Sequence, residues 1–255
     1  MAAQRKAEWL ADWEREEREP FSGWDFSHLA GRWHEEHPPW SYDELARSLL
    51  RASTSALDLG TGGGERLAAM ADAFPARMAA TEGHAPNVEI ARQRLAPLGV
   101  GVVGTGTGTE LPFPEASFDL VLDRHTAFDA AEVARVLRPG GTFLTQQVDG
   151  RNFADLIERF GASPQFPDVT LEQLSDQLGQ AGFTIENARD QILTTRFDDV
   201  GAIVYYLRAV PWTVPEFSVA RYRRKLLALQ VQLDAWGPLS FTSRRFLIRA
   251  TRCAT

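Results

Sequence analysis

From Ser53 to Val148 the chain alternates between short apolar runs and segments with helical spacing, and this alternation limits the possible folds more than any other feature. TSALDLG, ARMAATE, GVGVVG, SFDLVLD and TFLTQQV read as strands. GERLAAMADAF, PNVEIARQRLAPL and AFDAAEVARVL carry apolar residues at helical intervals, and the turn RPGG separates the last of these from its strand. A helix between two strands returns the chain to the same end of a sheet, so the strands pair in parallel. The fold class expected is α/β, with helices on both faces of a mostly parallel sheet. Right-handed crossovers then place any ligand at the C-terminal ends of the strands.

The flanks are helical and aromatic. Gln4 to Glu19 reads as a helix with Trp9, Leu10 and Trp13 on one side, ended by Pro20. Residues 21–40 are irregular and rich in aromatics, and Ser41 is placed to cap a helix over YDELARSLLR. Beyond Asp149, NFADLIERF and LEQLSDQLGQAG read as helices and FTIENARDQILTTRF as a strand. Residues 198–235 look helical but are interrupted by VPWTVPEF with its two prolines, and SFTSRRFLIRAT alternates as a last strand. The organisation expected is an N-terminal helical cap segment (1–52), an α/β core (53–150), and a remainder of the same domain (151–255). That remainder carries a helical insertion at about 198–235 and the last strands.

Composition narrows the setting. The 255 residues have a net charge of −7, and no apolar run approaches the roughly 18 residues that span a bilayer. The first twenty residues are too charged for a secretory signal, and Cys253 is the single cysteine, which leaves no disulfide and no cysteine cluster for a metal. A cytoplasmic protein without a metal centre is expected. From Tyr206 onward nine basic residues face two acidic ones, so a basic tail of +7 follows an acidic body of −14. The tail keeps nucleic-acid binding open, although solvated helix and strand faces account for it more simply.

The loop ALDLGTGGGE, residues 56–65, decides between two cofactors. A dinucleotide fingerprint starting at Gly60 and Gly62 requires a third glycine at position 65, where this chain has Glu65. A carboxylate at the start of the following helix would repel a pyrophosphate. The spacing is instead Asp58-x-Gly60-x-Gly62-x-Gly64. S-adenosylmethionine carries no phosphate but a sulfonium and an amino-acid end, beside which an acid is tolerable. Asp58 is placed to support the loop or meet the ammonium, and Glu82, at the end of the second strand, to accept from both ribose hydroxyls. A tight turn without a ligand is the plain alternative for the glycines, and a surface carboxylate for Glu82.

These segments together resemble the class I S-adenosylmethionine-dependent methyltransferases. LDLGTGGGE resembles the family's nucleotide loop and AATEG its ribose acid. LPFPEASFDLVLD resembles the approach to the fourth strand, and VARVLRPGGTFL the helix, turn and fifth strand. The resemblance covers about residues 41 to 150. It implies a Rossmann-like seven-stranded sheet whose last two strands form an antiparallel pair. It implies S-adenosyl-L-methionine as cofactor, contacted by Asp58, Gly60, Thr61, Gly62, Gly64, Glu82, Gly83, Thr107, Gly108, Thr109 and Asp123. Thr107 stands where the family usually has an acid for the adenine amino group.

Methyl transfer from a sulfonium is an in-line displacement, and a base is needed only when the acceptor must lose a proton. His125, after the fourth strand, is the candidate base, with a structural or cofactor-lining role as its alternative. Asp123, Gln146 and Gln147 are further polar candidates. DRHT is unlike the Asn/Asp-Pro-Pro-aromatic motif of enzymes that methylate amino nitrogens of adenine or glutamine. Aromatics in both flanks (Trp24, Phe26, Trp33, Trp40 and Tyr42; Tyr205, Tyr206, Trp212, Phe217 and Tyr222) suit an apolar pocket for a small acceptor, or simple packing. The function expected is methylation of a small molecule at oxygen or nitrogen. An RNA-directed methyltransferase and a cofactor-binding protein without transferase activity are the rivals.

Overall fold

The computed structural model describes residues 2–21, 24–106 and 110–254. In chain order the elements are α1 (Ala2–Arg18), β1 (Trp33–Glu35), α2 (Tyr42–Ala52), β2 (Ser55–Leu59), α3 (Glu65–Ala68), β3 (Arg77–Glu82), α4 (Ala85–Leu95) and β4 (Gly101–Gly104). Then come β5 (Phe118–Arg124), α5 (Ala130–Val136), β6 (Leu137–Val148), α6 (Ala154–Phe160), α7 (Leu171–Gln180), β7 (Phe183–Phe197), α8 (Val200–Ala209), α9 (Val219–Trp236) and β8 (Leu239–Arg252).

The sheet has eight strands in the order β1-β7-β8-β6-β5-β2-β3-β4, not the seven expected. The pairs β2–β3, β2–β5, β3–β4 and β5–β6 are parallel, and β6–β8 and β1–β7 antiparallel, so the sheet is mixed. The added strand is β1, whose three residues pair with Phe197, Arg196 and Thr195 at the far end of β7. Three residues are too few for an alternating pattern to show, and the segment sits among prolines and histidines that read as a loop. What makes it a strand is the length of β7, which leaves backbone groups for it to pair. A second departure is α3, which is a single turn over Glu65–Ala68 followed by a 3-10 turn at Ala71–Ala73 rather than one helix from 64 to 74. Strand β6 also starts earlier than expected: Leu137 pairs with Phe118 before the RPGG turn, and the register then shifts so that Thr142 pairs with Leu120.

The chain forms two compact units, one of residues 1–38, 150–168 and 192–244, the other of residues 39–149, 169–191 and 245–255. In the second unit the central strands are buried on both faces, which explains their unbroken apolar runs. Leu120 and Leu122 of β5 pack with Ala56, Leu144 and Leu247 under the Tyr42, Ala46 and Leu50 face of α2. Val121 packs to the other side with Leu57, Phe143 and Phe246. The spacing i, i+4, i+8 in α2 puts those three residues on one stripe, and the Ser41 hydroxyl caps the helix by accepting from the Glu44 N–H at 3.2 Å.

The first unit is built around aromatics. Phe26 lies against Trp33 (5.4 Å) and Tyr206 (6.1 Å), and Trp24 against Trp212 (5.6 Å). Phe153, Phe197 and Phe241 fill its centre, and α8 is buried nearly all round. Arg32 pairs with Asp199 through two 2.8 Å hydrogen bonds, a planar fork that also holds the cap of α8, since Asp199 accepts from the Ala202 N–H. Among the described residues no helix is long and apolar enough to cross a membrane.

Candidate active site at the strand ends

The glycine loop leaves β2 at Leu59 and turns back at once. Gly60 has φ +60°, and a Cβ there would fall 1.9 Å from Thr126 Oγ1, so no larger residue fits without moving the turn after β5. The loop is tied to β3: the Thr61 N–H donates to the Thr81 carbonyl at 2.9 Å, and the Gly62 N–H to Glu82 Oε2 at 2.6 Å. The other oxygen of Glu82 accepts from the His84 N–H at 2.6 Å. Glu82 therefore clamps the loop after β2 to the loop after β3 and keeps lone pairs on both oxygens for a further donor. Gly64 starts α3 with φ +81°, and Glu65, just after it, pairs with Arg94.

Beside this clamp lies a cleft of about 200 Å³ at the C-terminal ends of β2, β3, β4 and β5. Gly60, Gly83 and Gly106 form its backbone rim, and Leu59, Leu111 and Phe128 are among its apolar walls. A Cβ on Gly83 would come 2.6 Å from the Gly106 carbonyl, so the two loops meet here at backbone distance. Thr107, Gly108 and Thr109 lie outside the described residues. A wider hollow, lined by Glu115, Arg252 and Cys253 among others, touches none of the glycine-loop residues.

Two carboxyls behave differently from surface acids. Asp58 sits just inside the end of β2. Its withdrawal from water pushes its pKa up to about 7, with the nearby Thr61 hydroxyl opposing the rise and the Glu82 charge adding to it. Asp123, at the end of β5, is fully buried. Burial raises its pKa well above the usual carboxylate range, although it accepts from Thr145 Oγ1 (3.1 Å), the Thr126 N–H (3.2 Å) and Gln147 Nε2 (2.8 Å). Its partners are thus protein groups that fix the 124–126 turn and the end of β6.

The turn after β5 presents the remaining polar groups. His125 adopts φ +65°, a left-handed conformation that costs a non-glycine residue about 1 kcal/mol or more and is most often kept where a side chain must be aimed. Its backbone N–H is fixed to the Gln146 carbonyl at 2.8 Å. Its ring Nε2 lies 3.2 Å from Gln146 Nε2, while the Gln146 Oε1 accepts from Trp40 Nε1 at 2.8 Å. An indole N–H can only donate, so the amide atom facing Trp40 is the oxygen and the NH₂ faces His125. His125 Nε2 must then accept, which puts the ring proton on Nδ1. The residue as a whole is exposed. Desolvation by the atoms packed around its ring, then the charges of Arg124, Arg245 and Arg66, nevertheless hold its pKa well below 6.5.

Alternation along β5 carries Arg124 to the same face as Leu122, under α2. Its Nε is buried without a hydrogen-bond partner among the described residues, and the Tyr42 hydroxyl, on a side chain only 5% exposed, has none among them either. Burial, then the Asp58 and Asp123 charges, push the Tyr42 pKa well up, while Arg124 works against this. Burial and the neighbouring Arg66 lower Arg124 to about 10. Arg66 is itself answered by Asp43 at 2.6 Å. Arg124 was the residue that motif spacing missed. The signal available was its place two residues beyond Leu122, where a charged side chain must continue a buried face.

Residues 57–145 match the family described as "Methyltransferase domain". A fatty-acid O-methyltransferase of Mycolicibacterium smegmatis is 33% identical over 168 residues, 56% of this chain, and the match spans 59% of that relative's length. Among solved structures, protein BH2331 of Bacillus halodurans is 19% identical, with 84% of this chain covering all of that one at a TM-score of 0.59. The YcgJ protein of Bacillus subtilis is also 19% identical, with 84% of this chain covering 98% of that one at 0.57. At such identities these two share the fold with this chain. The glycine cradle, the acid clamped across two strand ends and the apolar cleft beside it fit an adenosyl group without a phosphate. Residues 57–145 thus match a methyltransferase domain, set in a Rossmann-like fold that the chain shares with these solved structures.

Proposed function

We propose that this protein transfers a methyl group from S-adenosylmethionine to a small-molecule acceptor. The observation that carries the reading is the Glu82 clamp: one carboxylate at the end of β3, between Thr81 and Gly83, which line the cleft, holds the Gly62 N–H of the glycine loop. In this reading Gly60, Thr61, Gly62 and Gly64 shape the loop against the cofactor, and Glu82 and Gly83 meet the ribose. Thr107, Gly108 and Thr109, outside the described residues, are given the adenine by the family resemblance alone, and Asp58 answers the ammonium. Asp123 acts on the cofactor through the turn it holds. The cofactor supplies an activated methyl on a sulfonium. The residues of this chain orient it, exclude water and present the acceptor in line. His125, fixed as an Nδ1–H donor, positions the acceptor and does not abstract its proton.

The cap reading belongs to the same proposal. Residues 1–52 and the insertion at about 198–235 are assigned the choice of acceptor. The relative's name brings a fatty acid into the range of acceptors to try. The test is an assay of S-adenosylhomocysteine release over acids, alcohols, phenols, amines and a structured RNA, with acceptor-free protein as blank. Turnover of at least one small molecule supports the reading. Turnover of RNA alone, or of nothing by protein that binds the cofactor, overturns it.

A further inference from the structure

We propose that the end of β5 binds a carboxylate on the acceptor, with Arg124 and the Tyr42 hydroxyl as its donors and the His125 Nδ1–H as a third, so that the product is a methyl ester. The inference rests on the methyltransferase reading and deepens it.

Two buried donors with no partner carry it. Among the described residues neither the Arg124 Nε nor the Tyr42 hydroxyl has a hydrogen-bond partner, and each feels the other electrostatically. An unsatisfied buried donor costs stability, and proteins keep such groups where a ligand completes them. The two belong to different elements, α2 and β5, yet lie on the same face of the sheet, close enough for each to feel the other's charge and for Tyr42 to feel that of Asp58. A guanidinium fork and a phenol match a planar monoanion with two oxygens.

Charge decides against the other acceptor classes. Arg124 lies within reach of the Arg66 and Arg245 charges, and although Asp43 answers Arg66 and Asp58 and Asp123 act on Tyr42, the guanidinium itself favours an anionic head group over a cationic one at this point. A hydroxyl acceptor must lose a proton, but the lone pair of His125 Nε2 is already taken by Gln146, and the ring holds a proton poorly. A carboxylate needs no base. One of its oxygens forms the new O–CH₃ bond with a lone pair, the S–CH₃ bond breaks, and its electron pair stays on sulfur. The negative oxygen and the positive sulfonium cancel, a neutral ester and a thioether result, and no proton moves.

The test varies the head group on a constant tail: octanoate, 1-octanol and octylamine, with wild type, Arg124→Gln and Tyr42→Phe. Two readouts are taken, methyl transfer and calorimetric binding of octanoate to protein saturated with S-adenosylhomocysteine. Octanoate is expected to be the preferred acceptor of the three by at least tenfold. Arg124→Gln should weaken octanoate binding at least tenfold and raise its KM, and Tyr42→Phe several-fold, with cofactor affinity within twofold of wild type. Preference for octanol or octylamine overturns the proposal and leaves the methyltransferase reading standing. Loss of cofactor affinity in Arg124→Gln with octanoate binding intact also overturns it, because the donors then serve the cofactor's own carboxylate. No transfer to any acceptor and no cofactor binding is failure of the underlying reading.

Discussion

The Trp40 indole N–H and the Gln146 Oε1 lie 2.8 Å apart, and this one bond sets the proton on a third residue. With the oxygen facing Trp40, Gln146 turns its NH₂ to His125 and makes Nε2 an acceptor. Trp40→Phe removes the only part of the relay that cannot flip. The ¹⁵N shifts of His125 should report the Nδ1–H tautomer in wild type and a mixture of tautomers in the variant. Equal spectra would show that the relay does not set the proton.

The same histidine gives a pH dependence. Its folded pKa is lowered, so below about 6.5 the unfolded chain takes up a proton that the folded one refuses. Stability is lost as pH falls through that value. His125→Gln should flatten part of the drop in Tm between pH 7.5 and 5.5, and an unchanged drop would assign it to other groups.

Asp58 has the opposite sign. Its folded pKa of about 7 exceeds the unfolded value of 3.8, so the folded protein holds a proton that the unfolded one releases, and stability declines as pH rises between those values. A bound ammonium favours the ionised form. Cofactor affinity in wild type should therefore rise with pH through 7 relative to Asp58→Asn, with more proton release at pH 6.5 by calorimetry in two buffers. Parallel pH profiles for the two proteins would refute the contact.

Two glycines with similar φ separate strain from clash. Gly60→Ala meets Thr126 Oγ1 at 1.9 Å, whereas a Cβ at Gly62 meets nothing within 4 Å. Gly62→Ala should cost about 1–2 kcal/mol, the left-handed penalty alone. Gly60→Ala should cost clearly more in chemical denaturation. Equal losses would mean that the Thr126 turn yields freely.

The Tyr42 hydroxyl gives a prediction of unusual direction. Because it is buried without a partner among the described residues, Tyr42→Phe should leave the ligand-free protein as stable as wild type or more stable by about 1 kcal/mol. A loss of 1 kcal/mol or more would reveal a hydrogen bond at this hydroxyl.

What the sequence disclosed and what it hid follow from range. The strands of the parallel sheet were legible because burial on both faces demands unbroken apolar runs. Ser41 was legible as a cap because its effect reaches only three residues. Strand β1 was not, since three residues gain their pairing from a strand some 160 positions away. The Glu82 carboxyl stood out at a strand end, but its grip on the Gly62 N–H depends on the register of β2 against β3. Arg124 looked like one more charge in DRHT until its face of the sheet was known.

The central claim is that the loop clamped by Glu82 holds S-adenosylmethionine. Calorimetric titration of wild type and Glu82→Ala with S-adenosylmethionine and S-adenosylhomocysteine tests it most directly, with circular dichroism as the check on folding. The account predicts micromolar binding of both compounds to wild type and at least tenfold weaker binding to a folded Glu82→Ala. Folded wild type that binds neither compound, or a variant that binds as tightly as wild type, would contradict it.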